Sequence, residues 1–243
     1  MRRVLEKYLL LQVALFMAIL SAFGQNSGAP TEVDPGVAVG IELNHRVRLD
    51  LYTGREKSDE LDSSKWKIGG GVSLRTKPLF KNFIDHFDAD KQHVLVAAVM
   101  YEYSKASDAE IRSIEHKLML DATGRYAFGG KILISDRNRF EFRWVDGDSR
   151  FRYRNRLFVE RPWKAWKIKK REITTYGGAE AFWDQKFTKW NQFRFTAGVQ
   201  FPIPALKRTS IDLYCERAHC VTCSNPNVNV FGASIYIFFS NRK

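Results

Sequence analysis

Three cysteines and one histidine within nine residues form the cluster of this chain with the clearest chemical potential: Cys215, His219, Cys220 and Cys223. Three thiolates and one imidazole could hold zinc, and the thiol spacing matches part of a plant-type iron–sulfur pattern that lacks its fourth cysteine. Export from the cell would instead favour oxidation. We predict one disulfide that includes Cys215 and one spare thiol, because the spacer between Cys220 and Cys223 closes a tighter ring. Zinc or three free thiols are the alternatives.

The histidines are the candidate bases for a nucleophilic enzyme, which needs a nucleophile and a base in hydrogen-bonding reach. His45 and His116 lie on rows of apolar residues, whereas His86 and His93 lie in a polar segment. The chain has no Gly-x-Ser-x-Gly motif, and its spacing supports no serine–histidine pair. The sequence therefore predicts no catalytic residue and no cofactor, and a lipid-modifying enzyme remains an alternative.

Arginine and glutamate recur at alternate positions in several segments. The members of this pattern are Glu42, Arg46, Arg48, Arg139, Glu141, Arg143, Arg152, Arg154, Arg156, Glu180 and Arg194. Rows of arginines that oppose each other on a free surface would repel, whereas in an enclosed lumen they can interleave with glutamates from neighbouring strands. The pattern predicts an inward charge network that includes Glu180. A salt-bridged plug is favoured over an anion-selective pore.

The segments that carry these residues have a period of two, which indicates β-strands. In residues 37–52, apolar side chains share one face and charged side chains the other, and similar rows recur as far as Phe239. Asp146-Gly147 is a strong hairpin signal. We count about ten strands, and an additional turn at residues 135–138 would raise the count toward twelve.

The N-terminus has the layout of a secretory signal peptide. Arg2, Arg3 and Lys7 precede an apolar run at residues 9–20, which is too short for a comfortable membrane helix. We predict a signal peptide at residues 1–24, a periplasmic lead at 25–36 and a single barrel domain at 37–243. Removing the three cations and one anion of the signal segment lowers the net charge from +12 to about +10.

Two architectures fit such strands, a soluble lipocalin-like binder and a transmembrane barrel whose apolar face meets lipid. Aromatic residues near predicted strand ends favour the membrane, where they form interfacial girdles. These residues are Tyr52, Trp66, Trp144, Trp163, Trp166, Trp183 and Trp190. The fold prediction is a closed, antiparallel, up-and-down transmembrane β-barrel with both termini in the periplasm, in the outer membrane of a Gram-negative bacterium.

The predicted location also limits the partners of this basic chain. An exported protein rarely meets nucleic acid, so the positive charge does not indicate a nucleic-acid partner. Outer-membrane lipids, the barrel-assembly machinery and an anionic ligand are the expected partners. Residues 215–227 would form an extracellular loop of about a dozen residues.

The C-terminal half resembles the DUF2490 family of bacterial outer-membrane barrel proteins. The resemblance lies in residues 136–160 (DRNRFEFRWVDGDSRFRYRNRLFVE), 176–183 (YGGAEAFW), 191–198 (NQFRFTAG) and 211–214 (IDLY). It implies an exported β-barrel without an established activity, and it implies no catalytic residues. The positions similar to the polar signature of the family are Arg139, Glu141, Arg143, Arg154, Arg156, Glu180 and Arg194.

Overall fold

The structure is a computed structural model that describes residues 29–58, 63–76, 91, 93–107, 112–128, 132–168, 171–203, 206, 208–223 and 227–240. Within these ranges the chain forms eleven β-strands. They are β1 (Thr31–Glu42), β2 (Val47–Ser58), β3 (Ser63–Arg75), β4 (Leu95–Ser107), β5 (Arg112–Phe128), β6 (Ile132–Val145), β7 (Asp148–Ile168), β8 (Arg171–Asp184), β9 (Lys189–Pro202), β10 (Thr209–Cys220) and β11 (Asn227–Ser240). None of the described residues belongs to a helix long and apolar enough to cross a membrane.

The strands close into one barrel, which confirms the all-β prediction. Each strand pairs antiparallel with the next, but β1 and β11 pair in parallel, with Thr31 opposite Asn229 and Glu42 opposite Ser240. Eleven strands of alternating direction can close only on a parallel pair. The prediction of ten or twelve purely antiparallel strands is therefore wrong. So is the prediction that both termini lie at one end, because Thr31 and Ser240 lie at opposite ends.

The strand count differs because one predicted row contains a turn. Residues 37–52 form parts of both β1 and β2, separated by a turn at 43–46 in which the Asn44 side chain accepts hydrogen bonds from the backbone of Arg46 and Val47. The proposed additional turn at residues 135–138 lies inside β6 instead. The connection from β5 to β6 is at 129–131, outside the described residues.

The structure describes only part of the predicted N-terminal segments. The proposed signal peptide, residues 1–24, lies outside the described residues. The first strand begins at Thr31, so the second half of the predicted lead is already paired with β2 and β11. The barrel domain thus starts before the predicted residue 37.

Apolar side chains face outward and polar side chains face the lumen. Phe140 and Phe195 are 43% and 59% exposed, whereas Glu141, the neighbour of Phe140 on β6, is fully buried. This alternation is the predicted orientation. It reverses the arrangement of a soluble barrel, which keeps its apolar side chains inside.

Asp146 and Gly147 form the predicted hairpin turn between β6 and β7, with φ angles of 52° and 94°. Both values are typical of a turn that follows the twist of the two strands. The Asp146 carboxylate accepts hydrogen bonds from the Ile114 amide and the Ser113 hydroxyl, each at 2.8 Å. These bonds lower the pKa of Asp146 and tie the hairpin to β5.

Candidate functional site in the barrel lumen

An ion-paired cluster spans the lumen side of β6, β7 and β8. The Arg154 guanidinium reaches Glu141 and Glu180, with a nitrogen–oxygen distance of 2.8 Å in each pair. Glu180 also pairs with Arg137 at 3.0 Å. Arg139 forms a two-pronged pair with Asp121 of β5 at 2.6 and 2.7 Å. We call Asp121, Arg137, Arg139, Glu141, Arg154 and Glu180 the central network.

Two large apolar side chains fill the space next to the central network. Phe182 and Met119 face the lumen, yet each is only 1% exposed. The guanidinium carbon of Arg154 lies 4.6 Å from the centre of the Phe182 ring, and that of Arg194 lies 4.9 Å from it. Cations over an aromatic face are favourable, more so where water is excluded. This side of the lumen is therefore packed with side chains.

A second cluster joins the strands on either side of the parallel β1–β11 pair. The Tyr214 hydroxyl of β10 donates a hydrogen bond to Asp34 of β1 at 2.7 Å. Lys67 of β3 pairs with the same carboxylate at 2.9 Å and with Glu56 at 3.0 Å. We call Asp34, Glu56, Lys67 and Tyr214 the seam clamp, because these residues come from the four strands β1, β2, β3 and β10 and join them across the intervening β11.

Inward tyrosines lie flat over glycines of the neighbouring strand, an arrangement known from β-sheets in which an aromatic ring covers a glycine. Tyr214 covers Gly232, and a Cβ atom added to Gly232 would clash with the ring. Tyr52 of β2 covers Gly69 of β3, and its hydroxyl donates to Glu102 of β4 at 2.7 Å. In both rows the glycine lets a tyrosine reach a carboxylate two strands away.

A third such row brings Tyr176 over Gly198, and its hydroxyl donates to Asp212 at 2.9 Å. These tyrosine–glycine contacts were not predicted from the sequence. Glycine at inward positions was their only signal, and a pairing between distant strands could not be inferred from it.

Basic side chains also converge on Glu115 of β5. Arg143 donates to its carboxylate at 2.5 Å, and Lys65 lies 3.3 Å away. Lys117 lies 4.0 Å from Glu115 and pairs with Glu102 at 2.7 Å. Glu102 was expected among the lumen glutamates, whereas Glu115 was not predicted, although it shares the inward phase of the residues that were.

Charged side chains also meet at the barrel end that contains Glu42 and Ser240. Glu42 pairs with Arg75 at 3.0 Å and with Arg208 at 3.5 Å. Lys91, from the connection between β3 and β4, pairs with Glu160 of β7. Because β7 is four strands away from β3 around the barrel, this ion pair reaches across the mouth of the barrel.

The remaining predicted lumen residues divide among several clusters instead of one network around Glu180. Arg48 pairs with Asp50 at 2.7 Å, Arg152 with Asp184 at 2.8 Å and Arg194 with Glu216 at 3.1 Å. Arg156 lies directly opposite Glu180 in the strand register, and its guanidinium carbon is 4.4 Å from the centre of the Phe158 ring.

Arg46 is the exception among the predicted lumen residues. It lies exposed in the turn at 43–46, so its prediction as a lumen residue is wrong. The alternating pattern continues through that turn and included Arg46 for this reason.

The cysteines pair differently from the prediction. The disulfide joins Cys220 and Cys223, and Cys215 is free and buried. Cys215 and Cys220 both belong to β10, so residues 215–220 are strand and the predicted long loop is only 221–226. Residues five positions apart on a strand face opposite sides of the sheet, so Cys215 cannot reach Cys220. The predicted Cys215 disulfide is therefore wrong.

The same geometry separates the proposed zinc ligands. His219 faces outward, and its ring nitrogen Nδ1 donates a hydrogen bond to the Asn227 side-chain oxygen at 3.1 Å, while Cys220 faces the other side. Among the described residues no group of three or more His, Cys, Asp or Glu could hold a metal ion.

The cysteine arrangement predicts a specific labelling pattern. We expect the unreduced, folded protein to resist alkylation and the unfolded, unreduced protein to take up one label per chain, at Cys215. Burial of the Cys215 thiol in the barrel wall is the reason. Peptide mass spectrometry measures the sites, and Cys215→Ser is the control that should leave no label. Two or three labels in the unreduced, unfolded chain would contradict the Cys220–Cys223 bond.

Comparison with known proteins identifies a family. A family model described as "Protein of unknown function (DUF2490)" matches residues 63–218. No curated protein matches the chain. Among solved structures, "LpxR from Salmonella typhimurium" matches with a TM-score of 0.43 and 6% identity, over 79% of this chain and 83% of that chain. The family match covers well over half of the chain and includes the whole central network. The protein therefore belongs to the DUF2490 family.

Proposed function

We propose that the protein is an outer-membrane barrel of a Gram-negative bacterium whose lumen is closed by ion-paired side chains. The observation that carries the proposal is the apolar outer face, with Leu51, Val99, Phe195 and Ile235 exposed on different strands. A soluble protein rarely exposes so continuous an apolar surface, whereas lipid requires one. Closure of the barrel pairs the backbone groups that lipid cannot satisfy.

The lumen contacts support a closed barrel over an open pore. Arg154 bridges Glu141 and Glu180, and Phe182 fills the adjacent space. At the mouth, Lys91 reaches the opposite wall. On this proposal the protein has a structural or binding role in the membrane and does not let solutes diffuse through its lumen.

Export by the segment 1–24 and insertion by the barrel-assembly machinery are part of the proposal, with outer-membrane lipids as the surrounding partner. Fractionation of cells tests this location. We expect recovery in the outer-membrane fraction and release only with detergent. Recovery from the periplasm without detergent would contradict the location and favour a soluble binder.

Planar-bilayer recording tests closure. We expect the wild-type protein to give no conductance steps and the Arg154→Ala/Phe182→Ala variant to give them, because that variant removes the bridge and the filling side chain together. His116→Leu, on the outer face, is the matched control and should stay silent. Anion-selective steps in the wild-type protein would contradict the closed barrel.

An anionic ligand is a second candidate, supported by the excess of arginine. Arg137 and Arg156 lie directly opposite each other in the strand register. Glu180, opposite Arg156 in the register, forms its ion pairs within 4.0 Å with Arg137 and Arg154, and it attracts Arg156 only at longer range. Among the described residues Arg156 therefore has no ion pair within 4.0 Å. Inorganic phosphate should raise the melting temperature of the wild-type protein, and Arg156→Gln should remove that increase. Equal stabilisation of both would contradict a ligand at Arg156.

A lipid-modifying enzyme receives less support. Between described residues no histidine ring bonds a serine hydroxyl: His93 contacts the Thr76 carbonyl, His116 the Tyr101 hydroxyl and His219 the Asn227 amide. A serine nucleophile would need such a base.

A further inference from the structure

A polar patch interrupts the apolar outer face halfway along the β6–β7 hairpin. The outward residues of β6 are, in order, Ile132, Ile134, Asp136, Asn138, Phe140, Phe142 and Trp144. Asp136 and Asn138 therefore lie between aliphatic residues toward one barrel end and aromatic residues toward the other. Tyr153 and Asn155 of β7 lie beside them. We call Asp136, Asn138, Tyr153 and Asn155 the outer polar patch.

The hydrogen bonds inside the patch leave some of its donor and acceptor atoms unused. The Asn155 amide donates to Asp136 at 2.7 Å and to Asn138 at 3.1 Å, and the Tyr153 hydroxyl donates to Asn138 at 2.5 Å. Among the described residues, the amide nitrogen of Asn138, the second carboxylate oxygen of Asp136 and the side-chain oxygen of Asn155 have no partner. The patch thus has two free N–H donors and two free acceptor atoms.

Lipid tails cannot satisfy these groups. Asp136 is exposed and is the fifth of the fourteen residues of β6, with apolar outward residues on both sides of the patch along the strand. A polar group without a partner is costly in an apolar medium, and charged residues on the lipid face of a barrel are destabilising by an amount that depends on their depth. A partner that supplies matching donors and acceptors would remove this cost.

We propose that the outer polar patch is the contact by which two copies of this chain dimerise in the membrane. In a two-fold interface, residue i of one copy meets residue j of the other and the reverse. The free Asn138 amide can then donate to the free Asp136 or Asn155 oxygen of the second copy, and the exchange repeats by symmetry. When the outer polar patches of two copies face each other, the unused donors of one patch bond the unused acceptors of the other. The occupant of the patch is therefore a second copy of this chain.

Small residues flank the patch and allow close approach. Asn138 and Asp136 pair with Ala122 and Gly124 of β5 in the register, and on the other side Asn155 pairs with Ala181 of β8. A Cβ atom added to Gly124 would meet nothing within 4 Å, so the surface there is open. Small residues in a membrane interface let two backbones come close enough for hydrogen bonds to form.

The experiment measures dimerisation of the purified, full mature chain in lipid nanodiscs and in detergent. We expect a wild-type dimer, and we expect Asn138→Leu to raise its dissociation constant roughly tenfold or more, because interfacial hydrogen bonds in the membrane are lost. A leucine on the lipid face does not threaten the fold. His116→Leu is the matched control, since it also removes an outward polar group, bonded to Tyr101, far from the patch.

Cross-linking provides a second measurement. In a Cys215→Ser background, Asn138→Cys is expected to form a disulfide-linked dimer in the membrane, and His116→Cys is not. The dimer rests on the membrane location proposed above, but different results would contradict the location and the dimer. A protein that does not enter lipid contradicts the location, whereas a wild-type monomer in lipid, or an Asn138→Leu variant that dimerises like wild type, overturns the dimer.

Discussion

Replacing Glu141 with alanine is expected to lower the free energy of unfolding by about 3–5 kcal/mol, the usual cost of removing one partner from a buried ion pair. Glu141 is fully buried, lies 2.8 Å from Arg154 and lies 4.0 Å from Arg139. Without it, positive charges would share a restricted space with fewer anions. Unfolding of the detergent-solubilised protein by urea or heat measures the loss.

Two variants make the Glu141 result interpretable. Asp148→Ala breaks the exposed pair with Arg150 and should change stability by less than about 1 kcal/mol. Arg154→Met/Glu141→Met removes both charges and should cost less than Glu141→Ala, because the two charges leave together and Glu180 keeps Arg137 as its partner. Wild-type stability in Glu141→Ala would show that the central network does not support the fold.

Replacing Gly232 with alanine is expected to be nearly as damaging, although only one methyl group is added. The new Cβ would clash with the Tyr214 ring, so the ring must move and its hydroxyl must leave Asp34. Overpacking alone costs about 1–3 kcal/mol, and a lost hydrogen bond to a charged group about 1.5–3 kcal/mol. We expect slower refolding into detergent and a lower midpoint of unfolding.

The matched control is Gly177→Ala, where an added Cβ lies no closer than 3.6 Å to Thr196 and should be tolerated. Gly69→Ala should resemble Gly232→Ala, since its Cβ would lie 2.5 Å from Tyr52. The double variant Gly232→Ala/Tyr214→Ala should lose less than the sum of its single variants, because the clash disappears with the ring. Strict additivity would refute the tyrosine–glycine contact.

The sequence detected some turns and missed others for one reason. Val145 pairs with Asp148 across Asp146-Gly147, so an odd-numbered residue lies opposite an even-numbered one. The inward side chains are therefore odd-numbered in β6 and even-numbered in β7, and this change of phase reveals the hairpin in the sequence. Glu42 pairs with Arg48, both even, so the alternation continues unbroken through the turn at 43–46. A period-two pattern shows where the phase changes, and it cannot show a turn that preserves the phase.

The disulfide error has a related cause. Spacing along the chain favoured Cys215, but its distance of five residues from Cys220 within β10 puts the two thiols on opposite faces of the sheet. Once the strand was known to extend to Cys220, the pairing of Cys220 with Cys223 in the turn followed. The boundary of a strand at its end is weakly marked in sequence, because the polar residues there suit both strand and loop.

The sequence by itself determined that the chain is all-β and that its apolar rows lie on the strand face opposite its alternating arginines and glutamates. This property follows from residue types at alternate positions of each strand and needs no knowledge of other strands. The aromatic residues near the predicted strand ends then favoured the orientation with the apolar face outward. Only the tertiary structure decided the eleven-strand closure, the parallel pair and the partners of each charge. Those depend on register between distant segments, as between Asp34 and Tyr214, 180 residues apart, and a local pattern has no information about that register.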